Sequence, residues 1–207
     1  SDTVRITVHA EIDPGAINIV DPACYNTTPD RITNQTAASG GGPGGLTYQW
    51  QSMVGAGPWG NLSGETNEYL DPPALIQTTS FRRAAVSGDN CDTVFTDPVT
   101  ITVRPQLDPG EIESDQPICY GEDPVIITSK TDGSGGGGVN YDWESKAGAG
   151  PWTSLGVNTS SYDPPSLTQT TEYRRVAMST AGCDTLYSDT VRITVHAEID
   201  PGAINIV

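Results

Sequence analysis

The stretch GGLTYQWQSMVGAGPW, residues 44–59, returns as GGVNYDWESKAGAGPW at residues 137–152. In the first copy Tyr48 and Trp50 fall on one face and Gln49 and Gln51 on the other. In the second, Tyr141 and Trp143 oppose Asp142 and Glu144. Alternation of aromatic and polar side chains with period two marks a strand with one buried face. The GAGP that follows supplies turn residues and leads into a second Trp, Trp59 or Trp152.

Working outward, the match extends in both directions. PACYNTTPDRIT (22–33) aligns with PICYGEDPVIIT (117–128), and YLDPPALIQTTSFRRAAVS (69–87) with YDPPSLTQTTEYRRVAMS (162–179). CDTVFTDPVTITV (91–103) aligns with CDTLYSDTVRITV (183–195). A DPG turn at Asp13, Asp108 and Asp200 spaces units of 95 and 92 residues. The first twenty residues, SDTVRITVHAEIDPGAINIV, are repeated without change at 188–207, a period of 187. This predicts the last strand of a preceding repeat over 1–12 and two domains over 13–107 and 108–199. It also predicts the first strand of a following repeat over 200–207. The alternation of Val4, Ile6 and Val8 with Thr3, Arg5 and Thr7 predicts a strand whose neighbours belong to another domain.

In the first unit, strands are expected near Ala16–Val20, Arg31–Thr36, Leu46–Met53, Trp59–Leu62, Glu68–Leu70, Ser80–Val86 and Val94–Val103. Seven short strands in about 93 residues around an inward Trp predict an all-β protein of two tandem immunoglobulin-like β-sandwich domains. Trp50 and Trp143 are the expected core centres.

The net charge is −16, with only ten Lys and Arg in 207 residues. Nucleic-acid binding depends on clustered Lys and Arg and is not expected. No apolar run reaches the ~20 residues of a membrane helix, so no membrane insertion is expected in this segment. Cys24, Cys91, Cys119 and Cys183 form no CxxC. Their even number and regular placement point to disulfides in an oxidising compartment, with three pairings open.

The pattern CY…YxW…GPW…YxPPxL…TTx[FY]RR…C[DG]T…VxIxV resembles the tandem Ig-like repeats of giant cell-surface adhesins and filament proteins of Bacteroidetes, including gliding-motility adhesins. The resemblance covers both units. It implies export to the cell surface and a structural role as repeat units of a stalk or filament in adhesion or surface motility. The implied partners are neighbouring identical repeats in the same chain, with surfaces or glycans as further candidates. Alternative roles are a ligand- or carbohydrate-binding module and the accessory repeats of a secreted enzyme. The match to antibody-type domains is partial, because Cys91 and Cys183 lie in the hairpin before the final strand. The expected pairs are Cys24–Cys91 and Cys119–Cys183, each clamping one end of its sandwich.

Residues with catalytic chemistry are sparse, and no enzyme activity is expected. His9 and His196 are one repeat position, at the end of a strand. The glycine runs at 40–45 and 133–138 precede a strand and lack the Lys of a phosphate loop, so a loop before the Trp strand is expected. The first unit has no lysine, which excludes a Lys–Asn isopeptide there. No organic cofactor is expected. Calcium at the domain junctions is the one ionic candidate, with Asp13, Asp108, Asp115 and Asp200 as ligands; plain turn chemistry of DPG is the competing reading. Trp59 and Trp152 are candidates for stacking on sugars or for covering the sandwich edge. Of the pairs Arg82-Arg83 and Arg174-Arg175, one Arg should be partly buried, with Asp71 or Asp163 as the expected partner. The resemblance also implies a glycoprotein: Asp-Thr-apolar sequences make Thr3, Thr93, Thr185 and Thr190 candidate O-glycosylation sites. Sequons at Asn26, Asn34, Asn61 and Asn158 are expected by chance in so Thr-rich a chain.

Overall fold

A computed structural model describes residues 2–88, 92–113 and 115–198. The chain divides into two compact units, 1–104 and 105–207. Each is an all-β immunoglobulin-like sandwich, and no residue among those described is helical.

In the first unit the strands are β1 (Ala16–Ile17), β2 (Asn34–Thr36), β3 (Leu46–Val54), β4 (Gly60–Asn61), β5 (Thr79–Ser87), β6 (Thr93–Phe95) and β7 (Val99–Ile101). One sheet runs β4-β3-β5-β6, with β7 also on β5; β1 and β2 form the facing layer. The expected strand at Glu68–Leu70 is reduced to a single bridge, Leu70 to Ile32. The second unit repeats the plan with β8 (Glu111–Ile112), β9 (Gln116–Cys119), β10 (Ser129–Thr131), β11 (Val139–Ala147), β12 (Thr153–Ser154), β13 (Thr171–Ser179) and β14 (Thr185–His196). Its larger sheet runs β12-β11-β13-β14-β9.

The last strand differs between the units for a local reason. In β14 it is unbroken over twelve residues. In the first unit Pro98 stands where the second has Thr190, and the strand splits into β6 and β7. Proline has no N–H to give the ladder. The segment after the DPG turn also changes sheets. β8 pairs with β10 in one layer, and β9 then lies parallel to β14 in the other. The first unit keeps only a bridge of this kind, Ala23 to Val103.

Trp50 and Trp143 are fully buried, as the alternation predicts. Ile17, Ile32, Leu70, Phe81 and Ile101 surround Trp50; Ile112, Ile127, Tyr173, Val191 and Ile193 surround Trp143. Each indole N–H finds a carbonyl, Asn67 O or Thr159 O, both at 2.9 Å. A buried Trp thus contributes its apolar area without stranding its one donor.

Candidate functional site

The most elaborated polar feature of each unit is the seat of the linker that leads into it. In the first unit Asp13 and Ser39 exchange both backbone hydrogen bonds, at 2.9 and 3.0 Å, and the Gly41 N–H donates to Ala10 O at 3.1 Å. In the second, Asp108 and Ser134 do the same at 2.8 and 2.9 Å, and the Gly136 N–H donates to Pro105 O at 2.8 Å. Between these bonds, Ile12 and Leu107 turn inward and are buried. The linker is therefore bonded to the domain it precedes, by backbone and by an apolar anchor.

The glycine runs explain why the linker fits. Gly40 and Gly135 have φ of +87° and +82°, and a Cβ there would collide with the carbonyl of Glu11 or Gln106. Only glycine combines the left-handed backbone with this close approach. The sequence marks these runs only as loops before the Trp strand. The signal available was their recurrence at one repeat position.

Under each DPG turn sits the second Arg of the pair. Arg83 and Arg175 are completely buried. Arg83 donates to Pro14 O at 3.1 Å, Glu68 O at 2.7 Å and the Asn34 side chain. Arg175 donates to Pro109 O at 3.0 Å, Thr131 O at 3.1 Å, Ser160 O at 3.0 Å and the Ser129 hydroxyl. Each guanidinium lies 4.5 Å from a tyrosine ring centre, Tyr48 or Tyr141. One planar group thus ties linker, facing layer and central strand together, a geometry that suits its fixed fork of donors. The Nε of each has no hydrogen-bond partner. Burial pulls the Arg83 pKa down, against the raising fields of Tyr48 and Glu68.

This corrects the expected partners. The buried arginines bond chiefly to backbone carbonyls, whereas Asp71 pairs with Arg31 at 2.7 Å. A carboxylate could satisfy one fork edge, but three carbonyls from separate segments hold the fold's pieces in register. Arg82 and Arg174 take the outer face. Arg82 lies between Trp59 and Phe95, at 4.3 and 4.0 Å from the ring centres, and Arg174 between Trp152 and Tyr187, at 4.3 and 3.8 Å. Arg174 also pairs with Glu144 at 2.6 Å.

The junction carboxylates are placed as follows. Asp13 and Asp108 accept the N–H of Gly15 and Gly110, at 2.8 and 2.9 Å, so both make Asx turns. Asp115 accepts the Arg192 N–H at 2.7 Å. Asp200 lies outside the described residues. Among the described residues no group of three or more His, Cys, Asp or Glu could hold a metal ion. Thr3, Thr93, Thr185 and Thr190 are all exposed. His9 and His196 are exposed too, His196 opposite Cys119 in the sheet.

The cysteines depart from expectation. Cys24 and Cys183 are disulfide-bonded, but Cys119 is a free, exposed thiol, so the expected Cys119–Cys183 pair does not form. The reason is distance. Cys119 faces His196, the last residue of β14, and Cys183 precedes its first. Eleven steps of about 3.3 Å separate those ends by ~36 Å, where a disulfide needs Cα atoms within ~7 Å. The expected Cys24–Cys91 pair falls on Cys91, which lies outside the described residues.

Among solved structures the chain is similar to the four N-terminal Ig domains of Dscam1 isoform 6.9, at 8% identity and TM-score 0.44. That match covers 93% of this chain, which spans only about half (48%) of the Dscam1 chain. It is also similar to the fibronectin(III)-like modules of Clostridium thermocellum CbhA, at 13% identity and TM-score 0.37, over 95% of this chain and 100% of that one. A third likeness is to three N-terminal domains of the Hoc outer capsid protein of bacteriophage RB49, at 14% identity and TM-score 0.37, over 87% and 58%. No curated protein matches the sequence. The model of a family described as a domain of unknown function, DUF8696, matches residues 13–105 and again 108–197. The chain belongs to that family, as two consecutive copies of its domain.

Proposed function

We propose that the chain is a structural repeat of a large extracellular protein, its domains joined head to tail into an elongated stalk or filament that serves adhesion or surface motility. The docked linker carries this reading. A spacer meant to flex is Gly/Ser-rich and unpaired. Here the residues before each domain carry backbone bonds, a buried anchor at Ile12 or Leu107, and a buried Arg beneath the turn. Such a seat, built twice, suits a chain that transmits force.

Three further features support it. The net charge of −16 keeps closely spaced copies from aggregating. Bonded Cys24 and Cys183 suit an oxidising, extracytoplasmic setting. The resemblance to Bacteroidetes surface repeats names a setting where such arrays occur. Against a glycan-binding role, Trp59 and Trp152 each have a ring face covered by an Arg. Electron microscopy of the full-length chain tests the proposal: beaded threads are expected, and compact particles would refute it.

A further inference from the structure

We propose that Cys119 is half of a disulfide that staples the second domain to the domain following it in the array. The inference rests on the array reading above and adds a covalent bond to it.

Each described cysteine sits at an end of its sandwich. Cys119 closes β9 beside His196, where the chain leaves the second domain. Cys24 holds the same repeat position and lies beside the Ala23–Val103 bridge, where the chain leaves the first. Cys183 sits in the hairpin before β14, at the opposite end. Its N–H donates to Ser179 Oγ at 3.1 Å, and Ser179 Oγ donates to Gly136 O in the linker seat. So one cysteine position marks the trailing end of a domain and the other the leading end.

Two observations say what the trailing position is for. The ~36 Å length of β14 closes the route from Cys119 to the leading-end cysteine of its own domain. Yet Cys24, the same position one repeat earlier, is disulfide-bonded. The position therefore makes disulfides, and the partner of Cys119 must come from outside its sandwich. In a head-to-tail array the group that follows a trailing end is the leading end of the next domain. The repeat DPGAINIV at 200–207 makes that next domain one of the first type, in which the repeat position of Cys183 is held by the Cys of GDNCDT.

The bond forms by exchange with the disulfide of an extracytoplasmic thiol oxidoreductase. Two S–H bonds break and one S–S bond forms between the domains. The two electrons and two protons pass to the oxidoreductase, which leaves as a dithiol. A stalk stapled this way resists separation of its domains as well as bending of its linkers.

The test uses the full-length protein released from cells, its free thiols alkylated before digestion without reductant. The expected product is a peptide holding Cys119 joined to a GDNCDT peptide, with the chain still at monomer mass on a non-reducing gel. Cys119 should take alkylating reagent only after reduction. Cys119 alkylated at once, joined to Cys183, or joined between chains would each overturn the proposal. In a Cys119→Ser chain, one new reactive thiol per period should appear in GDNCDT; its absence would also overturn it. Electron microscopy of the same sample separates the two readings. Threads with an alkylated Cys119 refute the staple alone, and compact particles refute the array.

Discussion

The sequence DTVRITVH occurs twice and has two fates. At 189–196 it completes β14, with Val191 and Ile193 exposed by only 1% and 0%. At 2–9 it forms no strand, and Val4, Ile6 and Val8 are 83%, 85% and 89% exposed. Nothing in the residues distinguishes the two copies. The difference is the company: Asp189–His196 has β13 on one side and β9 on the other. A β-strand is a property of a pair of edges and a covered face, and sequence supplies only one side of the bargain.

The sharpest way to break the comparison is to place the same change in both copies. Ile193→Asp buries a carboxylate beside Trp143 and should cost the second domain more than ~4 kcal/mol, in effect unfolding it. Ile6→Asp should change stability by less than ~0.5 kcal/mol. Denaturant unfolding followed by Trp fluorescence reads both; equal effects would deny that the slot decides the fold.

Next in size is a contrast within one dipeptide. Arg175→Ala removes the fork that bonds Pro109, Thr131 and Ser160, and should cost about 3–5 kcal/mol by stranding buried carbonyls and opening a cavity. Arg174→Ala loses a partly exposed stack and ion pair, worth about 1 kcal/mol. Arg175→Ala should in addition make the Gly136 amide exchange faster, because the linker seat rests on that guanidinium.

A smaller effect separates the domains by pH. Burial first, then the field of Tyr162, pushes the Tyr173 phenol up to about 12, while the first domain has Phe81 at that position. A raised pKa favours the protonated form in the folded state. Its stability is complete below pH ~10 and drains away as pH rises through about 12. Alkaline unfolding in that window should therefore strike the second domain, and Tyr173→Phe should weaken the pH dependence, leaving the share of Tyr162, whose phenol burial also pushes up.

The fold was largely legible in the residues. Two Trp strands, the hairpin turns and the repeat phase predict two sandwiches with Trp50 and Trp143 at their centres, and the structure agrees. What escaped was long-range. Alternation shows that one Arg of each pair points inward, but its carbonyl partners lie 15 to 69 residues away and carry no sequence mark. The Cys119–Cys183 pairing failed because even spacing says nothing about which end of a sandwich a residue occupies. The break at Pro98 was readable, since a proline in a central strand is a known interruption. The role of the glycine runs needed the linker's path, which only the fold supplies.

Hydrogen exchange at this repeated segment tests the account most directly. In the 207-residue chain the amides of Thr3–Val8 should exchange at near the unprotected rate, while those of Val191–Ile193 are protected. In the full-length chain the proposed array sets a second-type domain before it, and on that proposal the same segment should become protected by at least ~10³-fold, matching its twin. Persistent fast exchange there would contradict the reading of this chain as one period of a continuous array.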